Sequence, residues 1–241
     1  MASEHSPPRI LEVRRLGRTE YGECYELQKE LVEARASGVC GDLLILTEHE
    51  PVVTLGRKSP PGAADAVELP VVEIERGGEA TYHGPGQLVA YPIMRLPEGG
   101  RDLHQYLRNL EQVVIDLLAE FELEGLRREG FTGVWIADQK ICSIGVAVKR
   151  WVTYHGLALN LHTDLTAYSA FNPCGLQASV MTRLADHTQL PPTNILGEVL
   201  LVKHFCRVFG FELPPPMPLA EPTIDGPCDL GGPGFRPLPL L

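Results

Sequence analysis

The apolar positions change period several times along the chain, and each change marks an element. Residues 10–16 alternate as a strand does. From Thr19, a candidate cap, Tyr21, Cys24, Leu27, Leu31 and Ala34 recur at helical spacing, with Gly38 as the stop, so Cys24 is expected in the core. Short aliphatic runs at 42–47, 52–55 and 70–75 read as strands. A glycine-rich loop, 76–86, leads into a strand over 87–94, where Pro92 predicts a strand end or an edge position. Behind the cap Asp102, the broadest apolar stripe predicts a helix over 103–123, with Gly125 after its last turn. Tight turns at Asp138-Gln139 and Lys149-Arg150 divide the next stretch into strands at 133–137, 140–148 and 151–161, an antiparallel meander. Residues 162–192 are irregular, and Thr193 caps a last helix to Phe209, with Gly210 behind it. The elements do not alternate as βαβ units, so the fold class expected is α+β with a mixed or antiparallel sheet rather than a doubly wound fold.

Composition narrows this picture. The chain of 241 residues is 44% hydrophobic and 22% charged, which suits a globular protein and excludes disorder throughout, collagen and coiled coil. No run approaches the roughly 20 apolar residues of a membrane span, and the polar start at 1–9 lacks a signal-peptide core, so no membrane association and a cytoplasmic location are expected. The domain reading is a flexible N-terminus at 1–9, one domain at 10–212 and a Pro/Gly-rich tail at 213–241. The net charge of −10 excludes a general nucleic-acid binder. Basic pairs at Arg57-Lys58, Arg127-Arg128 and Lys149-Arg150 are solvated surface or a docking patch for an acidic partner. None of the six cysteines forms a CxxC pair and no histidines have metal-ligand spacing, so reduced thiols and no metal are expected.

Four segments carry candidate chemistry. In Arg76-Gly77-Gly78-Glu79-Ala80-Thr81-Tyr82-His83-Gly84-Pro85-Gly86-Gln87, four glycines allow a ligand to approach the main chain. The same pattern also suits a tight hairpin. It is neither a dinucleotide fingerprint nor a Walker loop. Lys140, in Lys140-Ile141-Cys142-Ser143-Ile144-Gly145, has largely apolar neighbours that would desolvate its amine, although a lysine at a strand start is normally surface charge. Cys142 reads as a core thiol. Cys174, in Asn172-Pro173-Cys174-Gly175, sits in a loop where a sulfur can be exposed beside backbone N–H groups. Those are features of a nucleophile, yet a lone cysteine is more often inert. His155, in His155-Gly156-Leu157-Ala158-Leu159-Asn160, is either a general base for Cys174 or a satisfied strand histidine.

Together these segments, with Gly133-Val134-Trp135, resemble the lipoyl(octanoyl) transferase family, in the family's order and over roughly residues 10–212. The resemblance implies a fold similar to the catalytic domain of biotin and lipoate protein ligases, α/β in the broad sense, with a mixed, largely antiparallel sheet flanked by helices. It implies an enzyme of lipoate biosynthesis that moves an octanoyl or lipoyl group through a thioester on Cys174, with Lys140 lowering the thiol pKa. It also implies that the acyl chain lies along Arg76, Gly77, Gly78, Glu79, Ala80, Thr81, Tyr82 and His83, along Ser143, Ile144 and Gly145, and along Gly156, Leu157 and Ala158. The implied donor is octanoyl-acyl carrier protein. The implied acceptors are the lipoyl domains of 2-oxoacid dehydrogenase E2 subunits and the glycine cleavage H protein. No cofactor and a monomer are expected.

Overall fold

The computed structural model describes residues 9–171 and 177–213. Ten strands and three α-helices follow in the order β1 (Glu12–Thr19), α1 (Tyr21–Ser37), β2 (Leu43–His49), β3 (Val52–Leu55), β4 (Val71–Glu73), β5 (Thr81–His83), β6 (Gln87–Ile93), α2 (Leu103–Ala119), β7 (Leu126–Arg128), β8 (Phe131–Ile136), β9 (Gln139–Lys149), β10 (Val152–Asn160) and α3 (Asn194–Phe209). Seven strands form the main sheet in the order β1-β2-β6-β10-β9-β8-β7, and a small sheet orders β4-β3-β5. Only β1 with β2 and β3 with β4 pair in parallel, and the other pairs are antiparallel. The expected mixed, largely antiparallel architecture is therefore what the chain adopts.

The central strands β6 and β10 are buried along their whole length because both faces of the sheet are covered. In β2, Leu44 and Leu46 join one cluster with α2 and α3, while Leu43 and Ile45 join another with α1. In β10, Leu157 and Leu159 point to the first cluster and Ala158 to the second. The stripe of α2, including Leu110, Val113, Val114, Leu117 and Leu118, is fully buried against the sheet.

Several local expectations are corrected. The cap of α1 is Glu20, whose carboxylate accepts from Glu23 N. Thr19 is engaged elsewhere, 2.9 Å from the Thr47 hydroxyl and 3.2 Å from His49 Nδ1. Asp102 does cap α2, through Gln105 N at 3.0 Å. That helix ends at Ala119 rather than 123, because Glu122 takes the left-handed conformation (φ 59°) before Gly125 is reached. Pro92 lies in a central strand, not at an edge. The β6–β10 ladder covers only Leu157 to Asn160, so the missing N–H falls where that pairing has stopped. The Thr153 hydroxyl then takes over, donating to Pro92 O at 2.8 Å and accepting from Met94 N at 3.1 Å. β5 lies inside the expected loop at 76–86, β7 is an additional strand, and the described residues of 162–192 contain three short 3-10 turns. The candidate loop Asn172 to Gly175, with Cys174, and the tail from Pro214 lie outside the described residues.

Leu117 touches both the sheet and the helical layer, so Leu117→Ala leaves a cavity in the larger cluster. Its unfolding free energy in denaturant titration is expected to fall by about 2–5 kcal/mol. A change below about 0.5 kcal/mol would contradict this packing.

Candidate active site

The site begins at a gap in the sheet. Gly145 of β9 lies opposite Gly156 of β10, so two adjacent strands lack side chains at one level. A Cβ on Gly145 would come 2.9 Å from Gly77 O, and one on Gly156 would come 2.1 Å from Ala90 O. The 76–78 segment uses this gap and docks on β9 through Gly77 N to Val146 O at 3.0 Å. Its arginine is buried. Arg76 Nη2 donates to Thr54 O at 2.8 Å and to Thr54 Oγ1 at 2.9 Å, and Nη1 donates to Gly77 O at 3.1 Å, so the guanidinium anchors the segment to β3.

Beneath this segment lies a cavity of about 550 Å³. Thirteen of the candidates line it: Arg76, Gly77, Gly78, Glu79, Thr81, His83, Lys140, Ser143, Ile144, Gly145, Gly156, Leu157 and Ala158. Ala80 and Tyr82 do not. They point to the other face of β5, where they pack with Tyr168, Phe171 and Met181, as the two-residue alternation of a strand requires. Tyr21, Tyr91 and His155 line the cavity as well, and Leu103, Leu107 and Phe131 add apolar surface from α2 and β8. Sequence offered no signal for Tyr21 and Tyr91, whose aromatic rings read simply as core.

Lys140 is 2% exposed. Gly133, with φ 141°, leaves room for its aliphatic chain, since a Cβ there would meet Lys140 Cε at 2.7 Å and Cys142 O at 2.4 Å. The backbone of Lys140 also holds the segment that follows the undescribed residues: Thr182 N donates to Lys140 O at 3.0 Å, and Met181 bridges to Lys140. On the other side of those residues, Phe171 packs in the cluster of Tyr82 and Met181. The position of Cys174 itself lies outside the described residues. Cys142 is the core thiol expected, fully buried, with burial pushing its pKa up to about 12 against the opposing charge of Lys140. Cys24 and Cys206 are likewise buried.

Three buried imidazoles near the cavity are held below the ordinary histidine pKa. Burial pushes His49 and His155 down to about 4, and His83 well below its ordinary value. A relay of amides sets the His83 tautomer. Gln87 Nε2 donates to Tyr82 O at 3.1 Å and to Asn160 Oδ1 at 2.9 Å, leaving Gln87 Oε1 to accept from His83 Nδ1 at 2.8 Å. Asn160 Nδ2 donates onward to Thr182 O at 2.9 Å. His49 Nε2 lies 2.8 Å from the Tyr91 hydroxyl. His155 is a strand histidine, although not a satisfied one. It takes φ 55°, donates its backbone N–H to Gln28 Oε1 at 2.9 Å, and leaves both ring nitrogens without a hydrogen bond among the described residues. Glu75 Oε2 stands 3.8 Å from its Nε2.

The basic pairs divide. Lys149 and Arg150 both pair with Glu33, and they close β9 at the end remote from Lys140. Arg57 and Lys58 are exposed, and Lys58 stands on the cavity wall. Among the described residues no helix is long and apolar enough to cross a membrane, and no group of residues could hold a metal ion.

With this geometry in view, comparison with known proteins is decisive. Residues 20–205 match the lipoyl protein ligase A/B catalytic domain. The octanoyltransferase of Syntrophotalea carbinolica is 44% identical over 85% of this chain and 97% of its own length. That of Rubrobacter xylanophilus is 49% identical over 83% and 94%. This chain belongs to the octanoyltransferase family. The fold has solved counterparts, among them a bipartite lipoate protein ligase of Thermoplasma acidophilum studied with its E2 lipoyl domain. That structure superposes with TM-score 0.63 at 16% identity, covering 85% of this chain and 86% of its own.

The buried neutral imidazoles set an acid limit for the family member described here. An unfolded histidine binds its proton near 6.5, whereas folded His49 and His155 do so only near 4. The unfolded state therefore holds more protons in that window, and stability falls as pH drops from about 6.5 to about 4. The melting temperature is expected to decline across this range, and more shallowly in His49→Gln. A flat profile would show that these rings are protonated in the fold.

Proposed function

We propose that this chain transfers an octanoyl group from acyl carrier protein, through a thioester on Cys174, to a lysine amine of a lipoyl domain or glycine cleavage H protein. The observation that carries the reading is the cavity with a buried lysine on its wall, whose backbone is tied to Met181 and Thr182, a few residues beyond Cys174 in sequence. Its supports are the octanoyltransferase relatives and the catalytic-domain match.

The chemistry follows from the groups present. A free thiol, with a pKa of about 8.5, is mostly protonated at neutral pH. Lys140 in its neutral form takes the proton of Cys174, and the resulting ammonium stabilises the thiolate. The thiolate attacks the octanoyl carbonyl, a C–S bond forms, and the carrier's C–S bond breaks. The carrier thiolate leaves with the proton from Lys140. One thioester replaces another, so the step is nearly neutral in free energy. In the second half, the acceptor amine attacks the acyl-enzyme, gives up a proton to the Lys140–Cys174 pair, and releases the Cys174 sulfur. An amide replaces a thioester, which is downhill without ATP. The glycines at 77, 78, 145 and 156 let the eight-carbon chain lie against backbone. The anionic carrier docks near Arg57 and Lys58, since Lys149 and Arg150 are engaged with Glu33.

Intact-mass measurement and peptide mapping after exposure to octanoyl-carrier protein alone should find one octanoyl group on Cys174. Cys174→Ala should abolish both adduct and transfer, and Lys140→Met should slow transfer by about 10²–10⁴-fold. An unmodified Cys174, or activity with free octanoate and ATP that survives its loss, would overturn the proposal in favour of a ligase.

A further inference from the structure

Glu111 takes no part in the steps above, yet it is a carboxylate 1% exposed in the middle of α2. Burying such a charge is costly unless every lone pair finds a donor. Two donors reach in from the surface: Arg108 Nη1 at 2.7 Å and Arg127 Nε at 3.0 Å, both to Oε2. The other oxygen, Oε1, points inward and accepts from Gly133 N at 3.2 Å. Gly133 lies opposite the place where β7–β8 pairing shifts register, between Leu126 and Arg128. The glycine is also the residue over which the Lys140 side chain passes. Its φ is 141°, and the point where a Cβ would stand is 2.7 Å from Lys140 Cε and 3.4 Å from Nζ.

We propose that Glu111 is a positioning residue for Lys140. Its hydrogen bond fixes the Gly133 peptide, and the peptide fixes where the lysine amine sits. The inference rests on the reading of Lys140 as the group that handles the Cys174 proton. A merely structural role, pinning α2 to β8, would affect melting temperature and leave the proton transfer alone. Arg127 does not depend on Glu111 alone for its place, since its Nη2 also donates to Arg108 O at 3.2 Å and to Gln112 Oε1 at 2.8 Å.

Two variants separate geometry from charge. Glu111→Gln keeps the length and the carbonyl oxygen that Gly133 needs. Glu111→Asp keeps the charge and its guanidinium partners but is one methylene too short to reach Gly133 N. Both are assayed for octanoyl transfer and for the pH dependence of Cys174 alkylation by iodoacetamide, at a temperature where circular dichroism shows each folded. Loss of a supporting hydrogen bond of this kind predicts a fall in kcat of at least about tenfold for Glu111→Asp. The KM for the carrier should be unchanged, and the alkylation midpoint should move upward. Glu111→Gln is expected to retain kcat within about threefold, with the midpoint of the wild type. Wild-type kcat and midpoint in Glu111→Asp would overturn the proposal. So would a loss in Glu111→Gln as large as that in Glu111→Asp, which would show that the hydrogen bond to Gly133 N is not what preserves activity. A wild-type enzyme that never acquires an octanoyl group on Cys174 would refute the transfer reading instead, and the alkylation midpoints would still decide between the variants.

Discussion

The structure depends on the absence of side chains where β9 and β10 meet at Gly145 and Gly156. The docking of the 76–78 segment follows from it. Gly77 can reach Val146 O only because nothing projects from Gly145, and β10 can pass Ala90 O only because nothing projects from Gly156. The 76–78 segment then becomes the wall of a cavity instead of a surface loop. Its arginine is drawn into the protein, where Thr54 accepts from its Nη2, and β5 is placed so that Thr81 and His83 face the cavity while Ala80 and Tyr82 face away. A gap of this kind suits an unbranched aliphatic ligand, which needs length and dispersion contact more than hydrogen bonds.

Electrostatics add a second layer. Two basic side chains, Arg76 and Lys140, are buried near a mostly apolar space, and burial holds the His49, His83 and His155 imidazoles below their ordinary pKa. Arg76 finds its partners within the fold. Lys140 packs over Gly133, and among the described residues its amine makes no hydrogen bond. In a site of low dielectric, a thiolate beside an ammonium is favoured far more than in water. That is the physical reason a lysine, rather than the neutral imidazole of His155, is the group assigned to the proton.

Much of this was legible in the chain. The apolar periods gave the main strands and all three helices, because long amphipathic stripes such as that of α2 overdetermine their own conformation. The glycine segments and Lys140 could be read because their residue types are costly or unusual where they stand. What escaped was set by tertiary context. Glu20 rather than Thr19 caps α1 because the threonine is used by Thr47 and His49. Pro92 is tolerated centrally because the ladder to β10 ends before it. Ala80 and Tyr82 were grouped with their neighbours because a sequence motif does not show which way a strand turns its side chains. Glu111 was invisible, since an acidic residue within a helix ordinarily reads as solvated surface.

The account stands most directly on where the acyl chain lies. Carrier protein bearing an octanoyl thioester with a diazirine on the chain can be photolysed in complex with the enzyme, and the labelled peptides sequenced. Label is expected on the segments 76–83, 143–145 and 156–158, and lost when unmodified octanoyl-carrier protein competes. Label confined to the outer face of α3 or to the β9–β10 turn, with those three segments untouched, would contradict the assignment of the cavity.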